Sequence, residues 1–134
     1  MSGVDVIGAL LRGNDAVTAA VPAGDIIGGA LGEEAPLPSI LVRSVSLADR
    51  QQLRPGATRR SVERVAVTVR AASYRQQRLL IGLVRAACAD RGGIFGALRN
   101  VSVLTAGTGP DVDGPSGSFE RTQDFRVSFD SPAE

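Results

Sequence analysis

The sequence predicts an α+β domain: a mostly antiparallel sheet of four to five strands, with a long helix packed on one face and an N-terminal helix. Three observations carry that expectation. Leu79, Leu80, Leu83, Val84, Ala87 and Cys88 repeat at helical spacing. Val65, Val67 and Val69 alternate as in a half-buried strand, and so do Phe125, Val127 and Phe129. Taken along the chain, the elements run helix, strand, strand, helix, strand, strand, which sets one helix across a strand-rich domain.

The elements follow in order. Ser2 and Asp5 have capping-box spacing, and Val4, Ile7, Leu10 and Leu11 share one stripe, so a helix is expected over 3–12, stopped by Gly13. Asn14 caps a further short turn through Val17 and Ala20, which Pro22 ends. Residues 25–30 are a short apolar stretch, and 32–38 read as a loop. Ile40 and Val42 suggest a strand over 39–46, with a phase slip at Leu41 and Val45. It should pair antiparallel with a strand over 61–71. The connection, 47–60, contains Arg50, Arg54, Pro55, Gly56, Arg59 and Arg60 and is too long and polar for a tight hairpin, so a protruding arm is expected. Ser73 and Gln76 form a second capping box for a helix over 73–91 whose polar face carries Arg75, Gln76, Gln77, Arg78 and Arg85. Gly92 and Gly93 mark its end and a turn. Strands over 101–106 and 119–129 enclose a Gly-, Pro- and Asp-rich segment, 107–117, expected to be a flexible loop. A short disordered tail is expected over 131–134.

At 134 residues the chain suits one domain, 1–134. No apolar run approaches the ~18 residues of a membrane span. The first twelve residues lack the basic region and cleavage site of a secretory signal, and Cys88, the single cysteine, has no partner for an intrachain disulfide, so cytosolic synthesis is expected. There is no His, no Trp and no Lys, and all fifteen positive side chains are Arg. Most hydrolase triads and zinc sites are thereby excluded. Cys88 lies on the apolar stripe, where core packing is the default. Asp111 and Asp113 lack the closing ligands of a calcium loop, and Gly92, Gly93 and Gly96 lack the lysine of a phosphate loop. No enzyme, metal or cofactor is expected.

The net charge of +1 conceals a strong asymmetry. Residues 1–42 hold one Arg against five acids, 43–99 twelve Arg against three acids, and 100–134 two Arg against six acids. A basic middle between acidic ends binds a polyanion or pairs one copy with the next, head to tail. Arg50, Arg54, Arg59, Arg60 and Arg64 fall within fifteen positions, but the aromatics that would stack bases are absent there, so only nonspecific contact with nucleic acid is expected. These five arginines, with Asp111 and Asp113, are the candidate protein–protein interface.

The layout resembles a known family. The residues that carry this resemblance are the N-terminal helix, Ala35-Pro36-Leu37-Pro38 before a strand, the extended arm, a Val-alternating strand entering Ala71-Ala72-Ser73-Tyr74, a helix, and a final Gln123-Asp124-Phe125-Arg126-Val127 strand. This pattern is similar to the tail terminator, or tail completion, proteins of long-tailed bacteriophages and gene transfer agents. The resemblance implies a structural virion protein, made in the bacterial host cytoplasm, that forms a hexameric ring capping the head-proximal end of the tail tube. Its implied partners are other copies of itself, the tube protein and a head-completion or stopper protein. DNA enters only as the genome passing through the channel. Two rival readings stand beside it: another neck or tail ring component, such as a head-closure stopper or the tube protein, and a small Arg-rich nucleic-acid-binding module.

Overall fold

A computed structural model describes residues 1–50 and 58–132. Helix α1 (Gly3–Arg12) begins where expected: the Ser2 hydroxyl accepts from the Val4 N–H, and the Ser2 N–H donates to Asp5. Gly13 caps its end. Asn14 caps the short α2 (Asp15–Ala20) by accepting from the Val17 N–H at 3.1 Å. The chain continues through β1 (Ile26–Gly28), β2 (Ser39–Arg50), β3 (Thr58–Ala71), α3 (Tyr74–Cys88), β4 (Gly92–Phe95), β5 (Leu98–Thr108), β6 (Val112–Asp113) and β7 (Phe119–Pro132).

The α+β class holds, but the sheet is mixed and has seven strands, in the order β1-β2-β3-β7-β5-β4, with β6 paired to the start of β7. β1 runs parallel to β2, with Ile26 opposite Ile40, so the expected mostly antiparallel sheet of four to five strands is corrected at its margins. Strands of two to four residues show no readable alternation, which is why β1, β4 and β6 escaped the sequence pattern. Gly92 and Gly93, expected in a turn, are β4. A Cβ on Gly92 would run into the Val101 carbonyl, so this pairing depends on glycine. The expected antiparallel pairing of β2 and β3 is present, and the phase slip in β2 is a bulge between Ser44 and Ser46.

Alternation along β3 and β7 gives the sheet two distinct faces. Val65, Val67, Val69, Phe125, Val127 and Phe129 are buried beneath α1 and α3, and Phe125 is among the largest fully buried side chains. The Ser73 hydroxyl caps α3 through the Gln76 N–H, while Gln76 reaches back to Ala72 rather than to Ser73. The stripe of α3 is rotated from the one expected: Leu79 is 60% exposed, whereas Gln77 and Ile81 are buried with Leu80, Val84, Ala87 and Cys88. Gln77 tolerates burial because its amide donates to Asp111 and to the Glu120 carbonyl. Burial pushes the Cys88 thiol up to about 12, as expected for a core-packing side chain.

Candidate functional site

Among the described residues, no helix covers the opposite face of the sheet. It carries the even-numbered side chains of β3 and β7, and their charges form a ladder. Arg60 lies directly opposite Asp130 and pairs with it at 3.3 Å, and Arg70 lies opposite Glu120 and pairs at 2.6 Å. Arg64 lies opposite Arg126, so like charges meet at that step, and Arg64 reaches diagonally to Asp124 at 2.8 Å instead. Arg64 also donates to the Ala106 carbonyl, and Arg60 to the Asn100 carbonyl, which ties β3 to β5 across β7. The Asn100 amide holds the Asp130 carboxyl below its ordinary range; loss of solvent opposes it, and the Arg60 hydrogen bond and charge add smaller lowering effects.

The three acids of this face are thus matched by three arginines of β3. Arg43, Arg99 and Arg126 have no ion pair or hydrogen bond among the described residues, so the bare face keeps a surplus of positive charge. Arg70 is the most buried of these cations, and it also donates to the Gly32 carbonyl at 2.6 Å. Beside it, a pocket of about 370 Å³ opens among Leu41, Arg43, Thr68, Arg70, Glu120 and Arg121.

The residues expected at an interface separate into groups. Arg60 and Arg64 belong to the ladder. Arg59 lies beside Asp49 at 3.8 Å, and both are about half exposed. Arg50 ends β2 opposite Arg60. Arg54 lies outside the described residues. The segment expected as an arm, 47–60, continues as paired strand up to Arg50 and again from Thr58. Asp111 accepts from Gln77 at 3.0 Å and lies 3.7 Å from Arg121, a cationic neighbourhood that suits a structural carboxylate better than a metal ligand. Asp113 is exposed in β6, opposite Phe119. Segment 107–117, expected as a flexible loop, contains β6 and a 3₁₀ turn at Pro115–Gly117. Among the described residues, no three His, Cys, Asp or Glu side chains are grouped to hold a metal ion. Among the described residues, no helix is long and apolar enough to cross a membrane.

Sequence reasoning missed the ladder's acids, Glu120, Asp124 and Asp130. Their alternation with Phe125, Val127 and Phe129 marks them as the other face of one strand, and their partners become legible only once β3 and β7 are set side by side.

No family model matches the chain, and no curated protein matches it. Among solved structures, a chain of "Virion of native gene transfer agent (GTA) particle" superposes with a TM-score of 0.74 over 93% of this chain and 92% of that one. This chain has that fold. Sequence identity is 14%, so the likeness is one of architecture.

Proposed function

We propose that this chain is a structural virion protein of the tail terminator kind, six copies of which close into a ring at the head-proximal end of a tail tube. The observation that carries this reading is the near-complete superposition on a chain of a gene transfer agent virion. It is supported by the sheet's two partly uncovered sides. β1 covers only Ile40–Val42 of β2, so among the described residues 43–50 have no strand partner on that edge. Across the sheet, β4 pairs with residues 98–102 of β5, and 104–108 lie beyond it. Uncovered edges are positions where a second chain docks.

A ring needs side surfaces that join unlike patches and two different ends, one for the tube and one for the neck. No bond is made or broken in this role. The genome passes through the ring, and a lumen lined by arginine would hold its phosphates, so we place most of the arginines of 43–99 against protein. Arm segment 47–60 and segment 107–117 are the proposed contacts with the neighbouring copy or the tube, and shortening either is expected to impair capping.

Adding the protein to its growing tube protein tests the reading. A terminator stops elongation and leaves tubes closed at one end. Another tail ring component, the second reading that the same superposition serves, leaves elongation unchanged or itself grows into tubes.

A further inference from the structure

On the bare face of the sheet, Leu41, Thr68 and Thr122 form one row across β2, β3 and β7. Arg70 and Glu120 stand in the row on one side of it, and Arg43 in the row on the other. This middle row is the floor of the pocket of about 370 Å³. β6 brings Val112 beside Glu120 as one wall, and Ala30 and Leu31 supply another. Arg70 secures that second wall by donating to the Gly32 carbonyl at 2.6 Å.

Of the cations lining the pocket, two are answered from within the chain. Arg70 pairs with Glu120 at 2.6 Å, and Arg121 donates to the Gly109 carbonyl at 2.8 Å and lies 3.7 Å from Asp111. Arg43 is exposed and has no ion pair or hydrogen bond among the described residues. The acid in its own row, Asp124, is taken by Arg64 at 2.8 Å. Glu33 and Glu34, which follow Gly32, are exposed and pair with no arginine of the pocket. The floor is polar as well. The Thr68 and Thr122 hydroxyls share one hydrogen bond at 2.8 Å, which leaves the pair one further O–H to donate.

A single unanswered guanidinium calls for one negative charge, and its planar fork matches the two oxygens of a carboxylate. Glu120 across the pocket disfavours a dianion such as phosphate. Leu31, Leu41 and Val112 give the same space apolar walls. Paired strands and the two bonds of Arg70 hold these groups in place beforehand, so little ordering is lost on binding.

We propose that this pocket binds a monocarboxylate on a short apolar stem, with the carboxylate held by Arg43 and the threonine pair and the stem against Leu31, Leu41 and Val112. A free carboxylic acid and the glutamate side chain of a docked neighbour carry this same group. The inference does not rest on the ring reading.

Two-dimensional amide NMR of the full chain tests it, with pentanoate as the probe and pentanamide, its uncharged analogue, as the control. Pentanoate should shift the signals of Leu41, Arg43, Thr68 and Thr122, with half-saturation at about 10 mM or below. Arg43→Gln should weaken binding at least about tenfold, and Arg43→Lys should fall between, because lysine keeps the charge and loses the fork. Arg43 is exposed and unpartnered, so both variants should keep the fold, checked by circular dichroism. Arg126→Gln removes an equally unpartnered arginine of the same face outside the pocket, and at physiological salt it should change affinity by less than about twofold.

The absence of a saturable shift, equal binding of pentanamide, or undiminished binding by Arg43→Gln would each overturn the inference. So would an equal loss in Arg126→Gln, which reduces the site to a generally positive surface, or tighter binding of inorganic phosphate than of pentanoate. Adding folded Arg43→Gln to growing tubes then identifies the source. Tubes stopped as by the unmodified protein support a free acid, whereas lost capping supports a glutamate of a docked chain. Pentanoate binding by a protein that forms no ring would support this site and contradict the ring, so the two proposals fail separately.

Discussion

Glu63 is 2% exposed, and it is tolerated because α1 starts on top of it. The Gly3 N–H at the start of α1 donates to its carboxylate at 2.7 Å, where the positive end of the helix favours a negative charge. That closeness explains the glycine. A Cβ on Gly3 would come within 3.0 Å of the Glu63 carboxylate and 3.2 Å of both Val65 and Val127. Gly3→Ala should therefore lower stability by about 1–3 kcal/mol in urea unfolding, the cost of overpacking, despite alanine's better helix propensity. Arg70→Ala and Arg64→Ala should differ, because Arg70 is nearly buried with two partners while Arg64 is 45% exposed at its side chain. Loss of the first should cost about 3 kcal/mol or more and loss of the second less than about 1. Asp130 makes a pH prediction. Its native pKa is lower than the 3.8 of the free side chain, so its stabilisation is complete above that value and is lost as pH falls through the lower native one. Asp130→Asn should lower stability modestly at neutral pH and flatten the acid limb below about pH 4, so that the two proteins converge in acid. The caps at Ser2, Asn14 and Ser73 were legible from spacing alone. Glu63 and Gln77 were not, since nothing in sequence marks a polar side chain whose partners arrive from 60 and 34 residues away.

At the scale of elements, what is readable is what is long. α1 and the cores of β2, β3, β5 and β7 carry enough periodicity to be located, whereas β1, β4 and β6 owe their state to a neighbour that supplies hydrogen bonds. The phase of α3 was misread by one position because Leu79 and Leu80 are equally apolar and only packing against β3 and β7 separates them. Stability effects should therefore differ between these adjacent leucines. Leu80→Ala is expected to cost about 2–5 kcal/mol, as for a fully buried leucine. Leu79→Ala should change stability by less than about 0.5 kcal/mol, measured by urea unfolding beside the Leu80 variant. The charge ladder was half visible: its arginines stood out as a cluster, but their acids looked like the polar half of an ordinary strand.

For the whole molecule, the sequence's division into acidic, basic and acidic thirds becomes two arrangements in space. On the bare sheet face the basic middle meets the acidic last third within one copy, through Arg60–Asp130, Arg64–Asp124 and Arg70–Glu120. Among the described residues, Arg75 and Arg85 of α3 and Asp15, Glu33 and Glu34 of the acidic first third form no ion pair. Unmatched charges of both signs on one domain are what the proposed ring would use to join its copies. The proposed association would also benefit a chain with so few aromatics, because each contact would add burial that its own small core does not supply. The measurement that tests this account most directly is negative-stain electron microscopy, with mass by light scattering, of the protein alone and with its tube protein. The account predicts closed sixfold rings, or tubes bearing one such ring at a single end. Filaments of this protein alone, or a monomer that leaves tube ends bare, would contradict it.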